Sequence, residues 1–474
     1  MSGVIVAKDL LLLRREPVVF GVLLVFLGLV FISLLAGAQR ESVFDKERTA
    51  ALETDRAVWM NQGDRNPHSA AHFSRYAFRP ASPLAALDPG VEDFSGLAIW
   101  MEAHYQDPAV FRRAEDGGEL SRYAQLSPAV LVLIIAPLLV FLLLFGSVAG
   151  EREDGTLRQL LATGVHVRQI FIGKFGAGLR ITLLVFTAIF VLAGLVSVTL
   201  SSASIGVDTA WRLGSLYVAY TAYLVTCVAI AIGVSALSRT RQSAFVALAV
   251  VWAMMTIVVP RLATDVSTTL VPQPDSRSAS AELSAASNTY YGDKARQKRI
   301  EEEVLQRYGV ESIEDLPINY GAYVLQVSEE LSEPEFDRFY AQLDDRYARQ
   351  EKVLRAFALA TPTIAVTRLS RAFAGTDREH QRAFAKAAEA HRREMIQMLN
   401  EDYMYNAAND GSYYTSDEAL WQQFEDLGYQ VPALVAFAGA YRFEGLLLLA
   451  WLLVAVVFSY RSVVRAARRE VPVA

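Results

Sequence analysis

Four stretches of the sequence are apolar, free of charge and about 20 residues long, the length that a helix needs to cross the hydrocarbon core of a bilayer. Hydrocarbon offers no partner to a bare peptide group, so such stretches fold as membrane-spanning helices. Two shorter apolar runs follow the same pattern. The six predicted spans are Pro17–Ala38, Pro128–Ala149, Ile181–Leu200, Leu213–Leu237, Ser243–Val259 and Gly445–Tyr460.

Basic residues gather in the short segments that flank these runs. In multi-pass membrane proteins such residues accumulate on the cytoplasmic side. The clusters all fall on one side if both termini are cytoplasmic, and the short loop Ser201–Arg212 on the other side contains only Arg212. Both termini are therefore predicted to be cytoplasmic. The clusters consist of Lys8, Arg14, Arg15, Arg152, Arg158, Arg168, Lys174, Arg180, Arg239, Arg241, Arg461, Arg465, Arg468 and Arg469.

The start of the chain leaves two questions open. Residues 3–15 combine apolar and basic side chains, which is typical of a helix lying in the membrane interface. A cytoplasmic extension of the first span fits equally well. Ala36-Gly37-Ala38, after an apolar run, also matches a signal-peptide cleavage site, but the run is longer than a usual signal core. We expect the first span to be retained.

Two long polar stretches, Gln39–Ser127 and Pro260–Phe443, are too long to be connectors. They predict one folded extracytoplasmic domain, or two that cooperate. Prolines divide the first stretch into short helices and loops, whereas the second is mostly helical. One of its helices is expected to begin with Thr376 as N-cap, with Glu379 completing a capping box.

The predicted fold class is therefore an all-α membrane protein with six transmembrane helices and a large, mainly helical extracytoplasmic domain. The first and second long loops both contribute to that domain. The predicted segments are 1–38 (interfacial helix and first span), 39–127 (extracytoplasmic), 128–259 (spans two to five, with a cytoplasmic segment 151–174), 260–443 (extracytoplasmic, helical) and 444–474 (sixth span and basic cytoplasmic tail).

Composition excludes several function classes. Of the 474 residues, 53% are hydrophobic and 20% charged, which fits a membrane protein with sizeable soluble parts. The net charge of −6 lacks the basic excess of a nucleic-acid-binding protein. Cys227 is the only cysteine, so an intrachain disulfide and a cysteine-based zinc site are excluded.

Three histidines are the candidate metal ligands. His68 and His72 are four residues apart and could share a helix face, and His104 follows in the same loop. A zinc site needs a further ligand and outer-shell partners, which the sequence does not indicate. Structural histidines, and no metal site, are therefore predicted.

The segment between the second and third spans is amphipathic. Glu151 and Glu153 favour the start of a helix through its dipole, and Leu157, Leu160 and Leu161 form one apolar face. Such a short helix is suited to dock in a groove of a soluble partner. A solvated loop whose basic side chains reach toward the lipid headgroups is the alternative.

This segment resembles the one between spans two and three of ABC-2-type (type V exporter-like) ABC transporter permeases. In that family the segment forms the coupling helix that binds the ATPase subunit, and its helix breaker is often Pro where this sequence has Gly164. The resemblance implies ATPase-coupling roles for Glu151, Glu153, Gly155, Thr156, Leu157, Leu160, Leu161, Gly164, Arg168 and Lys174.

The long loops resemble a subgroup of these permeases that carries the DUF3526 domain. The motifs that carry this resemblance are Arg79-Pro80-Ala81-Ser82-Pro83-Leu84, Leu87-Asp88-Pro89-Gly90-Val91, and Arg368-Leu369-Ser370-Arg371-Ala372-Phe373-Ala374-Gly375-Thr376-Asp377 with Phe384 and Ala387-Ala388-Glu389 after it.

The phosphate-binding pattern G-x-x-x-x-G-K-[ST] is not present, because Phe175 follows Gly173-Lys174. The chain is therefore expected to have no catalytic residues and no cofactor of its own. The resemblance implies separate ABC ATPase subunits that bind ATP and Mg, a second permease chain (a copy or a paralogue), and the inner membrane of a bacterium.

The resemblance implies export or extraction of a substrate, and two further functions stay open. The predicted spans contain no buried charge of the kind that ion-coupled carriers use, so an amphiphilic or partner-delivered substrate is expected. The complex could instead drive a periplasmic partner protein mechanically without moving cargo. A membrane receptor or scaffold, whose cytoplasmic segment binds a signalling protein, is the third possibility.

Overall fold

The computed structural model describes residues 1–73, 75–116, 126–200, 206–287 and 293–470. Within these ranges three short antiparallel strands form one sheet in the order β1 (Arg75–Phe78), β2 (Ala98–Glu102), β3 (Tyr105–Gln106). The helices are α1 (Ser2–Arg15), α2 (Pro17–Met60), α3 (Pro67–Phe73), α4 (Glu92–Ser95), α5 (Arg113–Asp116), α6 (Pro128–Glu153), α7 (Thr156–Ala162), α8 (Val167–Leu200), α9 (Val207–Leu237), α10 (Arg241–Leu270), α11 (Ser276–Ser287), α12 (Lys294–Tyr308), α13 (Tyr320–Ala358), α14 (Pro362–Ala374), α15 (Arg378–Asn406), α16 (Glu418–Gln423), α17 (Leu434–Phe437) and α18 (Arg442–Glu470).

Six of these helices, α2, α6, α8, α9, α10 and α18, contain a stretch long and apolar enough to cross a membrane. Their outward faces expose large apolar side chains that water would not tolerate in such number. The predicted all-α membrane protein with six spans is confirmed. Exposed examples are Val18, Phe20, Val25, Leu184, Val191, Leu195, Val250, Leu446, Leu449 and Leu453.

Helix α9 forms the centre of the bundle and packs most extensively against α18, α14 and α6. Small residues let neighbouring backbones approach it closely. A Cβ added to Gly233 would lie 2.4 Å from the Phe458 ring of α18 and 3.2 Å from the backbone of Ser459. The buried Tyr223 hydroxyl donates to the carbonyl of Leu133 over 2.9 Å, which ties α9 to α6.

Helix α6 is interrupted by a turn just before its last five residues, and a serine of α9 compensates for it. The backbone N–H groups of Val148 and Ala149 donate to Ser235 Oγ over 3.1 and 3.0 Å. Ser235 Oγ in turn donates to the carbonyl of Phe145 over 2.6 Å. Because these groups are buried, leaving them unpaired would be strongly unfavourable. The turn is therefore a fixed feature of the bundle.

A globular domain extends from one end of the bundle. The long helix α2 runs without a break from the membrane into this domain, where Trp59 is buried and its indole N–H donates to the carbonyl of Trp421 over 2.9 Å. The core also contains Phe384 and Met395 of α15. The first long loop thus begins as helix and then forms the small sheet, a combination that its prolines do not predict.

The expected N-cap at Thr376 is wrong by one residue. Asp377 caps α15, and its carboxylate accepts the backbone N–H of His380 over 3.0 Å. Thr376 belongs to the end of α14 instead, where its N–H donates to the carbonyl of Arg371 over 3.0 Å. Gly375 adopts φ +78° at this point, so the left-handed residue that ends one helix shifts the start of the next.

Candidate coupling site at the basic end of the bundle

Residues 150–174, here called the linker, connect α6 to α8 at the end of the bundle opposite the globular domain. This end, called the basic end, also holds α1 and the last turn of α18. Gly155 adopts φ +74° and Gly164 φ +82°, conformations that glycine takes without strain. They bracket α7, whose seven residues begin at Thr156 and end at Ala162. The predicted short helix, ending near Gly164, is present.

The apolar face of α7 points into the protein. Leu157 is only 2% exposed and belongs to the core of the bundle, and Leu160 and Leu161 are half-buried against that core. These leucines therefore fix α7 to its own chain, chiefly beside α18. The exposed residues of α7 and the turn after it are Arg158, Gln159, Ala162, Thr163 and Gly164.

Glu151 and Lys174, 23 residues apart in the sequence, meet in a buried ion pair. Their side chains are 9% and 3% exposed. Lys174 also contacts Asp9 of α1 over 3.0 Å, and Glu151 accepts a hydrogen bond from Lys8 over 2.7 Å. The four charges join α1, the end of α6 and the start of α8.

Helix α1 is held against α8 by close packing as well as by charge. A Cβ added to Gly173 would lie 2.6 Å from the side chain of Ile5, so only glycine allows this approach. Ile5 and Val6 are both buried. The first helix is thus docked along the bundle rather than extending the first span in a straight line, and Glu16 adopts an extended conformation between them.

A second group of contacts ties the linker to α9, α10 and α18. Arg152 forms an ion pair with Glu470 over 3.2 Å and donates to the carbonyl of Ala236 over 3.0 Å. The backbone N–H of Arg241, at the start of α10, donates to Glu153 over 3.0 Å. The linker therefore contacts α9, α10 and α18 in addition to α8.

The remaining linker residues predicted from the sequence have smaller roles in these contacts. The Thr156 hydroxyl donates to the carbonyl of Glu151 over 3.2 Å, across the turn at Gly155. Arg168 is exposed at the start of α8. Sequence reasoning did not assign roles to Asp9 or Glu470. For Asp9, the sequence did contain a signal: the charged pair Lys8–Asp9 lies inside the apolar run of α1.

The globular domain contains an open cavity of about 570 Å³ between the sheet, α13 and α15. Charged side chains line it, among them Asp344, Arg378, Glu389 and Arg393. Burial, together with the negative charges of Glu102 and Glu389, raises the pKa of Asp107 at its edge to about 7.

Comparison with known families places this geometry in context. Residues 104–271 match the family model for the ABC-2 family transporter protein, and they include the linker and the helices on either side of it. Residues 281–430 match a second model, Domain of unknown function (DUF3526). Among curated proteins, none matches the chain.

Both parts of the expected resemblance, to ABC-2 permeases and to the DUF3526 subgroup, are thereby confirmed. The protein is a multi-pass integral membrane protein, and residues 104–271 are similar to the membrane domain of ABC-2 family transporters. This family is normally the non-catalytic membrane subunit and implies an ABC ATPase as partner.

Proposed function

We propose that the protein is the permease subunit of an ABC complex in which the linker receives force from a separate ATPase at the basic end. ATP and Mg are bound by that ATPase. The observation that carries the proposal is the buried ion pair between Glu151 and Lys174, which makes the linker, α1 and α8 move together. Nucleotide-driven movement of the ATPase would then tilt the spans and rearrange the globular domain.

In this proposal the linker residues divide into two roles. Glu151, Leu157 and Lys174 transmit the movement inside the permease, because they are buried. The ATPase contacts the exposed surface formed by Arg158, Gln159, Ala162 and Thr163, together with Arg168. The coupling role of the apolar face of α7 is thus structural support, and the docking surface is the polar face beside it.

The basic end is cytoplasmic in this proposal, and the globular domain lies outside the inner membrane of a bacterium. The clustering of arginines at the basic end supports this orientation, since such residues are retained on the cytoplasmic side. A second permease chain, identical or paralogous, completes the complex. The substrate is amphiphilic or is delivered by a periplasmic partner, and the complex exports or extracts it.

The test is co-purification with the ATPase and measurement of ATP hydrolysis by the complex. A double variant, Gln159→Glu with Ala162→Glu, places two negative charges on the exposed face of α7. It is expected to abolish both the co-purification and the ATP hydrolysis by the complex. The matched control is Gln306→Glu with Ala295→Glu on the exposed face of α12, which adds the same charge to the globular domain. Normal association of the α7 variant would refute the docking surface.

A second function, mechanical work on a periplasmic partner, is favoured by two features. Helix α2 is continuous from the membrane into the globular domain. A cavity between α2, α6 and α8 measures only about 30 Å³, which is enough for about one water molecule. ATP hydrolysis that a periplasmic protein stimulates, without accumulation of cargo in vesicles, would support this function over transport.

A further inference from the structure

We propose that the globular domain binds a zinc ion through His68, His72 and His104. The Nε2 atoms of His68 and His72 lie 3.2 Å apart, and those of His68 and His104 lie 3.4 Å apart. The candidate ligand atoms of all three residues fall within 4.8 Å of one another. Ligands about 2.0–2.1 Å from a tetrahedral zinc ion are separated by about 3.4 Å, so two of the separations already match.

Local structure explains why the first two histidines converge. They are four residues apart on α3, so their side chains lie on the same face of the helix. Asn66 caps this helix, and its side-chain oxygen accepts the backbone N–H of His68 over 3.0 Å. The start of the helix is thereby anchored at the backbone of His68 itself.

His104 reaches the same point from the turn between β2 and β3. It adopts φ +62°, and among the described residues only one other non-glycine, Phe111, has a positive φ. This conformation is unfavourable by about 1 kcal/mol or more for a residue with a side chain, and turns of this kind favour Gly or Asn. We therefore ask what the side chain of a histidine in that position contacts.

Glu329 of α13 orients the His104 ring. Its carboxylate contacts His104 Nδ1 and also accepts the backbone N–H of His104 over 3.0 Å. The Glu329 side chain is 4% exposed. A carboxylate on Nδ1 holds the proton there and directs Nε2 toward His68, the arrangement that metal-ligating histidines use.

The Nε2 atoms of the three histidines converge on one point. His68 Nε2 faces both of the other rings, and one N–H of His68 can serve only one of these neighbours. A metal ion at this point would accept a lone pair from each ring. His72 is exposed, so the fourth position is open to water or to another ligand.

Nitrogen ligands without a carboxylate oxygen among them suit zinc rather than Ca²⁺ or Mg²⁺. The site joins the two long loops, since the histidines come from residues before the second span and Glu329 from residues after the fifth. A bound ion would therefore clamp these loops together in the globular domain. This inference does not depend on the proposed transport function.

The experiment is zinc titration of the full-length protein in detergent, purified with a tag that contains no histidine and stripped with a chelator. Competition with a chromophoric chelator measures stoichiometry and affinity. We expect one zinc per chain, and Co²⁺ in its place should give the intense visible absorption of a tetrahedral site. His72 is exposed, so the variant His72→Ala should fold normally. It should weaken zinc binding at least about 100-fold.

Glu329→Gln tests the orienting carboxylate and should weaken binding about 10–100-fold while leaving all three ligands in place. His391→Ala is the control, because His391 lies in the same domain and its Nε2 contacts the carbonyl of Glu425 over 3.0 Å. Binding below one zinc per chain, binding unchanged in His72→Ala, equal loss in His391→Ala, or displacement by millimolar Mg²⁺ would each overturn the proposal.

Discussion

Removal of the Lys174 charge is the most direct test of how the linker is held. In the variant Lys174→Met, Glu151 retains an ion pair only with Lys8, whose side chain is 44% exposed. Asp9 loses its ion pair with Lys174, whose Nζ lies 3.0 Å from the Asp9 carboxylate. Breaking a buried ion pair by deleting one partner typically costs about 3–5 kcal/mol. Because Lys8 remains, we expect a loss of about 3 kcal/mol in the free energy of unfolding, more than about 100-fold in the folded-to-unfolded ratio.

The single cysteine provides the assay. Cys227 is fully buried in α9, so a fluorogenic maleimide reacts with it only when the bundle opens. Reaction rates are measured in detergent over increasing denaturant. Lys174→Met should react in markedly less denaturant than the unaltered protein, and the midpoint difference gives the change in free energy.

Two controls separate the ion pair from the loss of a long side chain. Lys8→Met removes the exposed partner and should change the free energy of unfolding by less than about 1 kcal/mol. The triple variant Asp9→Asn, Glu151→Gln, Lys174→Met also removes the two buried negative charges that Lys174→Met alone leaves without Lys174. It should recover most of the stability. Equal effects of Lys174→Met and Lys8→Met would refute the reasoning.

Three further predictions concern the orientation, the globular domain and the bundle. Cysteine introduced at Thr163 should react with an impermeant maleimide only after spheroplasts are opened, whereas cysteine at Gln297 should react from outside; the reverse pattern would invert the topology. The raised pKa of Asp107, about 7, means that the folded state binds its proton more tightly than the unfolded state does, so stability is lost as pH rises from about 4 to 7. The variant Asp107→Asn should not show this loss of stability when thermal unfolding of the globular domain is followed at pH 5 and pH 8. Equal pH dependence in the variant and the unaltered protein would contradict the prediction. Gly233→Ala should destabilise the bundle by about 1–3 kcal/mol in the cysteine assay, because the added carbon overlaps α18, while Gly214→Ala in open space should not; equal effects would argue against close α9–α18 packing.

The membrane part of the fold was predictable because its cause is local. A run of about 20 apolar residues has few folding solutions in a bilayer, so six spans followed from the sequence. The ends of the helices were harder to predict from the sequence. Helix α10 continues through Pro260 to Leu270, and a π-helical turn at Met254–Val258 precedes the proline. The Thr361 hydroxyl donates to the carbonyl of Met255 there, a contact from a distant segment.

The sequence indicated only some of the residues of the candidate site, since it gave no role to Asp9 or Glu470, and it did not predict their contacts. The spacing of Leu157, Leu160 and Leu161 identifies an apolar face, but periodicity cannot say whether that face meets a partner or its own chain. Glu151 and Lys174 were identified separately, and only the tertiary fold brings them together. The contact between Glu329 and His104 was not predictable for the same reason, since Glu329 lies 225 residues beyond His104 in the sequence.

The unbroken α2 has a mechanical consequence. A helix of 44 residues is about 66 Å long at 1.5 Å per residue. If such a rod pivots by about 10° at its lipid-embedded end, the tip that holds Trp59 sweeps about 11 Å, whereas residues close to the pivot barely move. A small change in the angle of α2 within the bilayer would thereby become a much larger displacement of the globular domain in which Trp59 is buried.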